Sequence, residues 1–291
     1  MRKIVVSLLI SLFVLPVLVS SVCLAADTTV ISAINAVLHN NKEQHGYRFS
    51  ANQLKEIIDA DIQPVIVDIR STKSFSDGHI LGAKHIPLWS LVETIEKNTA
   101  RLPMDQPIYV ICCQKDIFAA YAVTVLRMGG YDAYLIPGGM PQWGELGYPI
   151  EQGAVEEKNT DRSLQQVHLP NIKNMLQADS FIQGIPQNKS YQLHLQDLRE
   201  DEKNQRSFSA IDVRLEGQNT RELLSGAQRI PLNRLVDVLQ KNPLLISKEK
   251  PVIVVDTLDS QAAFAVLALR LLGYEAYMIP SEELLQDTKS I

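Results

Sequence analysis

The chain of 291 residues contains three cysteines, two tryptophans and 6% aromatic residues, and neither charge dominates it. Each shortage narrows the field. With 28 Lys and Arg against 33 Asp and Glu, the net charge is −5, so no basic surface for a nucleic-acid backbone is expected. His79 has no second histidine at metal-ligand spacing, so no metal site is expected. The cysteines are Cys23, Cys112 and Cys113, not the spaced pairs that staple secreted domains. Neighbouring Cα atoms lie about 3.8 Å apart, below the usual disulfide range of about 4.4–6.8 Å. Cys112 and Cys113 are therefore not an ordinary structural bridge. What remains is ordinary: 46% hydrophobic and 21% charged residues, enough for a packed core.

The first residues read Met1-Arg2-Lys3, then an apolar stretch from Ile4 to Val22, then Cys23-Leu24-Ala25-Ala26-Asp27. Charge, apolar run and small residues in that order predict a secretory leader over residues 1–26. An uncleaved anchor is the alternative, since about 20 apolar residues span a bilayer. Ser21-Val22 is a poor lipobox, so Cys23 is not expected to carry lipid. Cleavage would leave a chain with no membrane attachment, exported and, by expectation, periplasmic. At 265 of the 291 residues, that chain is long enough for two domains.

Self-comparison reveals a repeat. VIVDIR at 65–70 returns as SAIDVR at 209–214, LGAKHIPLWSLV at 81–92 as SGAQRIPLNRLV at 225–236, and the strand from Pro107 as the one from Pro251, all 144 residues on. Tyr47 and Leu54 match Tyr191 and Leu198 at the same spacing. AAYAVTVLRMGGYDAYLIP at 119–137 returns as AAFAVLALRLLGYEAYMIP at 262–280, now only 143 residues on. The chain is a tandem duplication, and its one length change falls at the double cysteine.

Within the first copy, PVIVDI, AKHIPL, PIYVICC and DAYLIP read as strands. SANQLKEIID, SLVETIEKN and IFAAYAVTVLRMG read as helices. The apolar runs lack two-residue alternation, as in parallel strands buried on both faces. Two doubly wound parallel-sheet α/β domains are predicted, with ligands beyond the carboxyl ends of the strands. Residues 27–46 read as an amphipathic lead-in helix, 47–152 as the first domain, 153–186 as linker and 187–291 as the second domain. Between the copies, 151–166 is polar and 169–186 holds a short helix between domains.

Cys112 and Cys113 end the strand VICC just before a helix. Backbone amides and the helix dipole converge there and favour a thiolate by a few tenths to about 1 kcal/mol. The same cradle suits a persulfide. A buried structural cysteine is the competing explanation.

These residues resemble the rhodanese sulfurtransferases from about Tyr47 to Ile150. The likeness is carried by VIVDIR with Asp68 and Arg70, by FSDGHILGAKHIP with Gly78-His79-Ile80, by PIYVICC, and by LRMGGYDAYLIPGGMPQWGELGYP with Gly138, Gly139 and Trp143. The resemblance implies that one cysteine accepts sulfane sulfur from a small donor (thiosulfate, polysulfide or a protein persulfide) and hands it to a thiophilic acceptor, without a cofactor. Rhodanese loops run six residues from the cysteine into the helix. Counting back from the helix gives CQKDIF, beginning at Cys113, with Gln114, Lys115, Asp116, Ile117 and Phe118. Counting forward along the strand places Cys112 opposite Asp256 instead. Cys113 is the preferred nucleophile and Cys112 a buried neighbour or resolving thiol. Successive strand residues point to opposite faces, so only one thiol is expected to face the cradle.

Two loop residues depart from the family: Asp116 fills a small glycine position and Phe118 an arginine position. A carboxylate there opposes an anionic donor, which puts thiosulfate in doubt; Lys115 is expected to offset it, or Asp116 to turn outward and cap the helix. Asp68 and Arg70 are expected to pin the strand end, His79 to bond a turn, Gly138 and Gly139 to let the backbone pass close to the site, and Trp143 to sit in core. The second copy carries Asp256 for cysteine and IPSEE for IPGGM, and a carboxylate cannot hold a persulfide. It is expected to be non-catalytic and to shape the first domain's cleft or bind a partner. The rival readings are a binding or regulatory protein without turnover and a redox sensor built on the vicinal thiols.

Overall fold

The computed structural model describes residues 28–41, 45–97, 102–153, 171–185, 191–205, 207–218 and 221–287. The predicted leader, and the polar stretch 151–166 from residue 154 onward, lie outside the described residues.

Two four-stranded parallel sheets form, as the apolar runs require. The first holds β1 (Val65–Asp68), β2 (Lys84–His85), β3 (Ile108–Ile111) and β4 (Ala133–Leu135) in the order β2-β1-β3-β4. The second holds β5 (Ser209–Asp212), β6 (Gln228–Arg229), β7 (Val252–Val255) and β8 (Ala276–Met278) in the order β6-β5-β7-β8. Every residue of β3 and β7 is buried, which is why these central strands show no alternation. Asp68 pairs with Ile111 and Asp212 with Val255, so the two sheets share one register.

The helices, in order, are α1 (Thr28–Asn41), α2 (Ala51–Asp59), α3 (Thr72–Asp77), α4 (Leu91–Glu96), α5 (Ile117–Met128), α6 (Gly139–Glu145), α7 (Ile172–Gln183), α8 (Leu195–Lys203), α9 (Leu235–Lys241), α10 (Asp259–Leu271) and α11 (Ser281–Asp287). Local chemistry starts them where it can. Ser50 and Gln53 form a reciprocal capping box at α2, which satisfies two otherwise orphaned amides. The predicted strand PIYVICC stops at Ile111, because the Cys112 carbonyl accepts from Met140 N at 3.0 Å rather than from a neighbouring strand. Helices α3 and α6 were not legible: α3 is short and polar, and Gly-Gly-Met-Pro at 138–141 reads as a breaker. Pro141 is tolerated in the first turn of α6, where no intrahelical amide is missed.

The repeat reaches further upstream than the sequence showed. Tyr47 donates its hydroxyl to Val37 O at 2.7 Å, and Tyr191 donates to Phe181 O at 2.7 Å. The guanidiniums of Arg127 and Arg270 sit 3.7 Å above the rings of Tyr47 and Tyr191 respectively. The lead-in helix α1 and the linker helix α7 are therefore the same element in two copies. Each crosses to the other copy. Helix α1 packs on α9 and the short turn Leu232–Arg234, with Asn35 Nδ2 donating to Asp237 Oδ1 at 2.7 Å, while α7 packs on α4.

At the centre α5 packs along α10. Both are buried nearly all round, as central helices must be apolar on every face. One hydrophobic cluster therefore runs through both halves, from Val30 and Ile34 through Val123 and Leu126 to Phe264 and Leu267. Both tryptophans, Trp89 and Trp143, lie in the first half, so their fluorescence reports on that half alone. Phe264, in the second half, is fully buried with its ring centroid 6.0 Å from that of Tyr47. Phe264→Ala is expected to destabilise by about 3–5 kcal/mol and to lower the tryptophan-detected urea midpoint by that free energy divided by the m-value. An unmoved tryptophan transition beside a separate circular-dichroism transition would show that the halves unfold independently.

Candidate active site

The loop from Cys112 to Asp116 joins the end of β3 to the start of α5. Cys112 is 4% exposed, whereas Cys113 is exposed; both are free thiols, with their Sγ atoms 3.4 Å apart. Strand alternation suggested that only one would face the site, but the strand has already ended at Ile111, and both thiols line one cavity of about 210 Å3. Its apolar walls are Ile69, Leu88, Trp89 and Phe118, and its polar edge is Arg70, Ser71 and Ser74. Trp89 and Phe118 meet edge to face with centroids 6.0 Å apart.

The two thiols are driven in opposite directions. The Cys113 thiol is drawn down to about 6, first by a hydrogen bond from Cys112 and then by hydrogen bonds from the Lys115 and Cys113 backbone, against burial and the Asp116 charge. Cys112 is pushed well above the usual thiol range by its hydrogen bond with Cys113, by burial and by the charge of Cys113. Both shifts favour a thiolate on Cys113 beside a neutral thiol on Cys112, and a thiolate is what a cysteine nucleophile requires.

The loop's shape is fixed from behind by the turn before α6. Gly138 and Gly139 have φ of 71° and 53°, in the left-handed region that favours glycine. A Cβ on Gly139 would lie 2.1 Å from Cys112 O. The backbone of that turn thus presses on the cysteines, as the sequence suggested.

Asp116 corrects the expectation that it caps the helix. It stands at the N-cap of α5 but makes no capping bond. Instead Oδ1 accepts from Gly138 N at 2.8 Å, and Oδ2 pairs with Arg48 Nη1 at 3.0 Å. Lys115 does not offset it either, because its Nζ pairs across the interface with Glu282 Oε1 at 3.2 Å. Arg48 takes that role and also donates to Ser260 Oγ at 2.8 Å on the second half. Asp259 repeats the Asp116 arrangement, accepting from Ser281 N at 2.8 Å, so this latch belongs to the fold.

Asp68 and Arg70 behave as expected. The Arg70 guanidinium holds the Asp68 carboxylate through Nε at 3.0 Å and Nη2 at 2.6 Å, and reaches Gly78 O at 2.7 Å. Asp212 and Arg214 repeat the pair, with Arg214 donating to Arg221 O. His79 is buried, stacked on Phe75 with centroids 3.8 Å apart, and its Nδ1 lies 2.9 Å from Phe75 O. Trp143 is buried and donates Nε1 to Pro149 O at 2.9 Å. Neither lines the cavity. Gln114 is exposed and Ile117 buried, so neither forms its wall. Among the described residues no group of three or more His, Cys, Asp or Glu could hold a metal.

Residues the sequence reading missed are Trp89, Leu88 and Ile69 on the wall, and Arg48 and Glu282 behind the loop. A signal existed for Trp89, because the repeat puts Asn233 at its position. Divergence between copies marks where one copy has a surface to build.

In the second half the register aligns Asp256 with Cys112, and Asp256 is 2% exposed. Burial pushes its carboxyl up to about 6 against backbone hydrogen bonds from Leu258 and Thr257. Between Val255 and Asp259 stand three residues, where the first half has four between Ile111 and Asp116. The extra residue thus lies beyond Cys112, within the loop that carries Cys113.

The family model of the Rhodanese-like domain matches residues 50–146. Over 94 residues the chain is 34% identical to the thiosulfate sulfurtransferase GlpE of Pseudomonas putida, covering 32% of this chain and 81% of that protein. The chain belongs to the rhodanese family. It is also 38% identical over 80 residues to YqhL of Bacillus subtilis, covering 27% of this chain and 60% of that protein's length. Among solved structures it is similar to a rhodanese-like domain protein from Staphylococcus aureus, at 28% identity and a TM-score of 0.32, covering 37% of this chain and 98% of the other. All three matches cover well under half of this rhodanese.

Alkylation of Cys113 is expected to rise with pH and level off above its midpoint near 6, because only the thiolate reacts. Cys112→Ala removes the main hydrogen-bond donor and is expected to raise that midpoint by about one unit or more; an unchanged profile would exclude Cys112 as its cause. Gly139→Ala is expected to cost about 3 kcal/mol or more in chemical denaturation, from strain and backbone overlap.

Proposed function

We propose that this rhodanese-family chain is an exported sulfurtransferase, working through a persulfide on Cys113. The single observation that carries the reading is an exposed thiol at the mouth of a cavity, with a buried thiol 3.4 Å from it. The Cys113 thiolate attacks a donor's sulfane sulfur; the Sγ–S bond forms while the donor's bond to that sulfur breaks and its electron pair departs with the leaving group. A thiophilic acceptor then takes the outer sulfur and regenerates the thiolate. Loop amides and the N-terminal end of α5 favour the anionic persulfide. No cofactor enters this chemistry.

Residues 47–152 form the catalytic unit in this reading, and 187–291 a non-catalytic one, since Asp256 has no sulfur to offer. The charged, apolar and small residues at 1–26 support export, in this reading to the periplasm. The 3.4 Å between the thiols favours a second reading, a redox sensor in which they close to a vicinal disulfide.

Intact mass after incubation with sulfane donors separates these readings. One added sulfur, lost in Cys113→Ser and kept in Cys112→Ser, is the expected result. No gain from any donor favours a binding or regulatory role without turnover, and loss of two hydrogens on mild oxidation identifies the sensor.

A further inference from the structure

The cavity beside Cys113 has walls suited to carbon rather than to a small dianion. Trp89, Phe118, Leu88 and Ile69 line it, and Trp89 remains 44% exposed at its rim. A cavity of about 150 Å3 lined by apolar side chains holds a benzene ring, so about 210 Å3 holds such a ring together with a sulfane group.

The cations nearby are already engaged. Arg70 lies at the cavity's polar edge, but its charge is balanced by the Asp68 carboxylate, which takes Nε and Nη2, and Nη2 also reaches Gly78 O. Arg48 neutralises Asp116. Lys115 faces Glu282 and does not line the cavity. A doubly charged donor would give up its hydration to meet cations whose charge is already balanced by Asp68, Asp116 and Glu282, whereas an apolar group would exchange water for aromatic contact.

We propose that the donor class is organic: sulfane sulfur joined to an apolar, ring-sized group and carrying no more than one negative charge, with Trp89 and Phe118 setting the preference. The inference rests on the persulfide reading above and names the substrate class for that site. For benzenethiosulfonate the step balances as follows. The Cys113 thiolate forms the Sγ–S bond, the bond from sulfane sulfur to sulfonyl sulfur breaks, and the electron pair leaves on benzenesulfinate. Thiosulfate would undergo the same displacement with sulfite leaving, so the two probes differ chiefly by a phenyl group in place of a charged oxygen.

The test measures second-order persulfide loading of Cys113 in the full chain by intact mass, with each probe, divided by the same probe's rate with a free low-molecular-weight thiol. The normalised ratio is expected to favour benzenethiosulfonate by about tenfold to a hundredfold, the range apolar pockets reach per small group. Trp89→Ala, a half-exposed residue on a short turn, is expected to lower that ratio about tenfold, and Phe118→Arg to shift it toward thiosulfate. Equal normalised rates, or a preference for thiosulfate, would overturn the inference while leaving the sulfurtransferase reading intact. Loading by neither probe would overturn both, and a preference that survives Trp89→Ala and Phe118→Arg unchanged would remove the aromatic wall as its cause.

Discussion

The packing of α5 against α10 is the contact on which the rest of this molecule depends. Each helix follows the central strand of its own sheet, so joining them aligns the two strand ends and the loops that leave them. The small residues Ala119, Ala120, Ala262 and Ala263, each no more than 1% exposed, keep the helices slender enough to bury on all sides. The exchanged helices α1 and α7 lock this arrangement, each lying on the copy that it does not lead into. The two halves thereby share one hydrophobic core, and the second copy supplies half of it.

That union reaches the site through polar contacts. Arg48 links Asp116 on the cysteine loop to Ser260 on α10, and Lys115 meets Glu282 across the same seam. The first contact is half-buried and ties the loop's carboxylate in place. The second is exposed, and surface pairs contribute little to stability. Together they keep the loop's charges occupied, so the groups that favour a Cys113 thiolate are Cys112 and backbone amides rather than a side-chain cation. Asp116 is thus a latch between the α6 turn and Arg48, with a counterpart in Asp259.

Much of this was legible in the residues. Apolar runs without alternation gave parallel buried strands, and the 144-residue offset gave two copies. Asp68 with Arg70 was read as a pin and is one, because a carboxylate two residues before an arginine at a strand end meets it locally. Helix α6 was hidden because glycine and proline ordinarily break helices, and nothing local says that Pro141 falls in a first turn. The kinship of α1 and α7 was hidden because an amphipathic helix keeps only a pattern, not its residues; it became visible in the shared tyrosine bonds to Val37 and Phe181. Asp116 was misplaced because its partners, Gly138 and Arg48, lie 22 and 68 residues away.

By itself the sequence determined the class of fold, the duplication, the replacement of cysteine by Asp256 in the second copy and the pair of residues, Cys112 and Cys113, on which the proposed chemistry rests. These follow from local periodicity and residue identity, which need no knowledge of distant neighbours. Only the tertiary structure decided how the two thiols differ and what stands around them. The strand's end at Ile111 brings both cysteines to one cavity, burial and a shared hydrogen bond push their proton affinities apart, and the walls come from the residue after β1, the turn before α4 and the first turn of α5. Proton affinity and pocket shape are properties of the whole surroundings, and the chain brings those surroundings together only by folding.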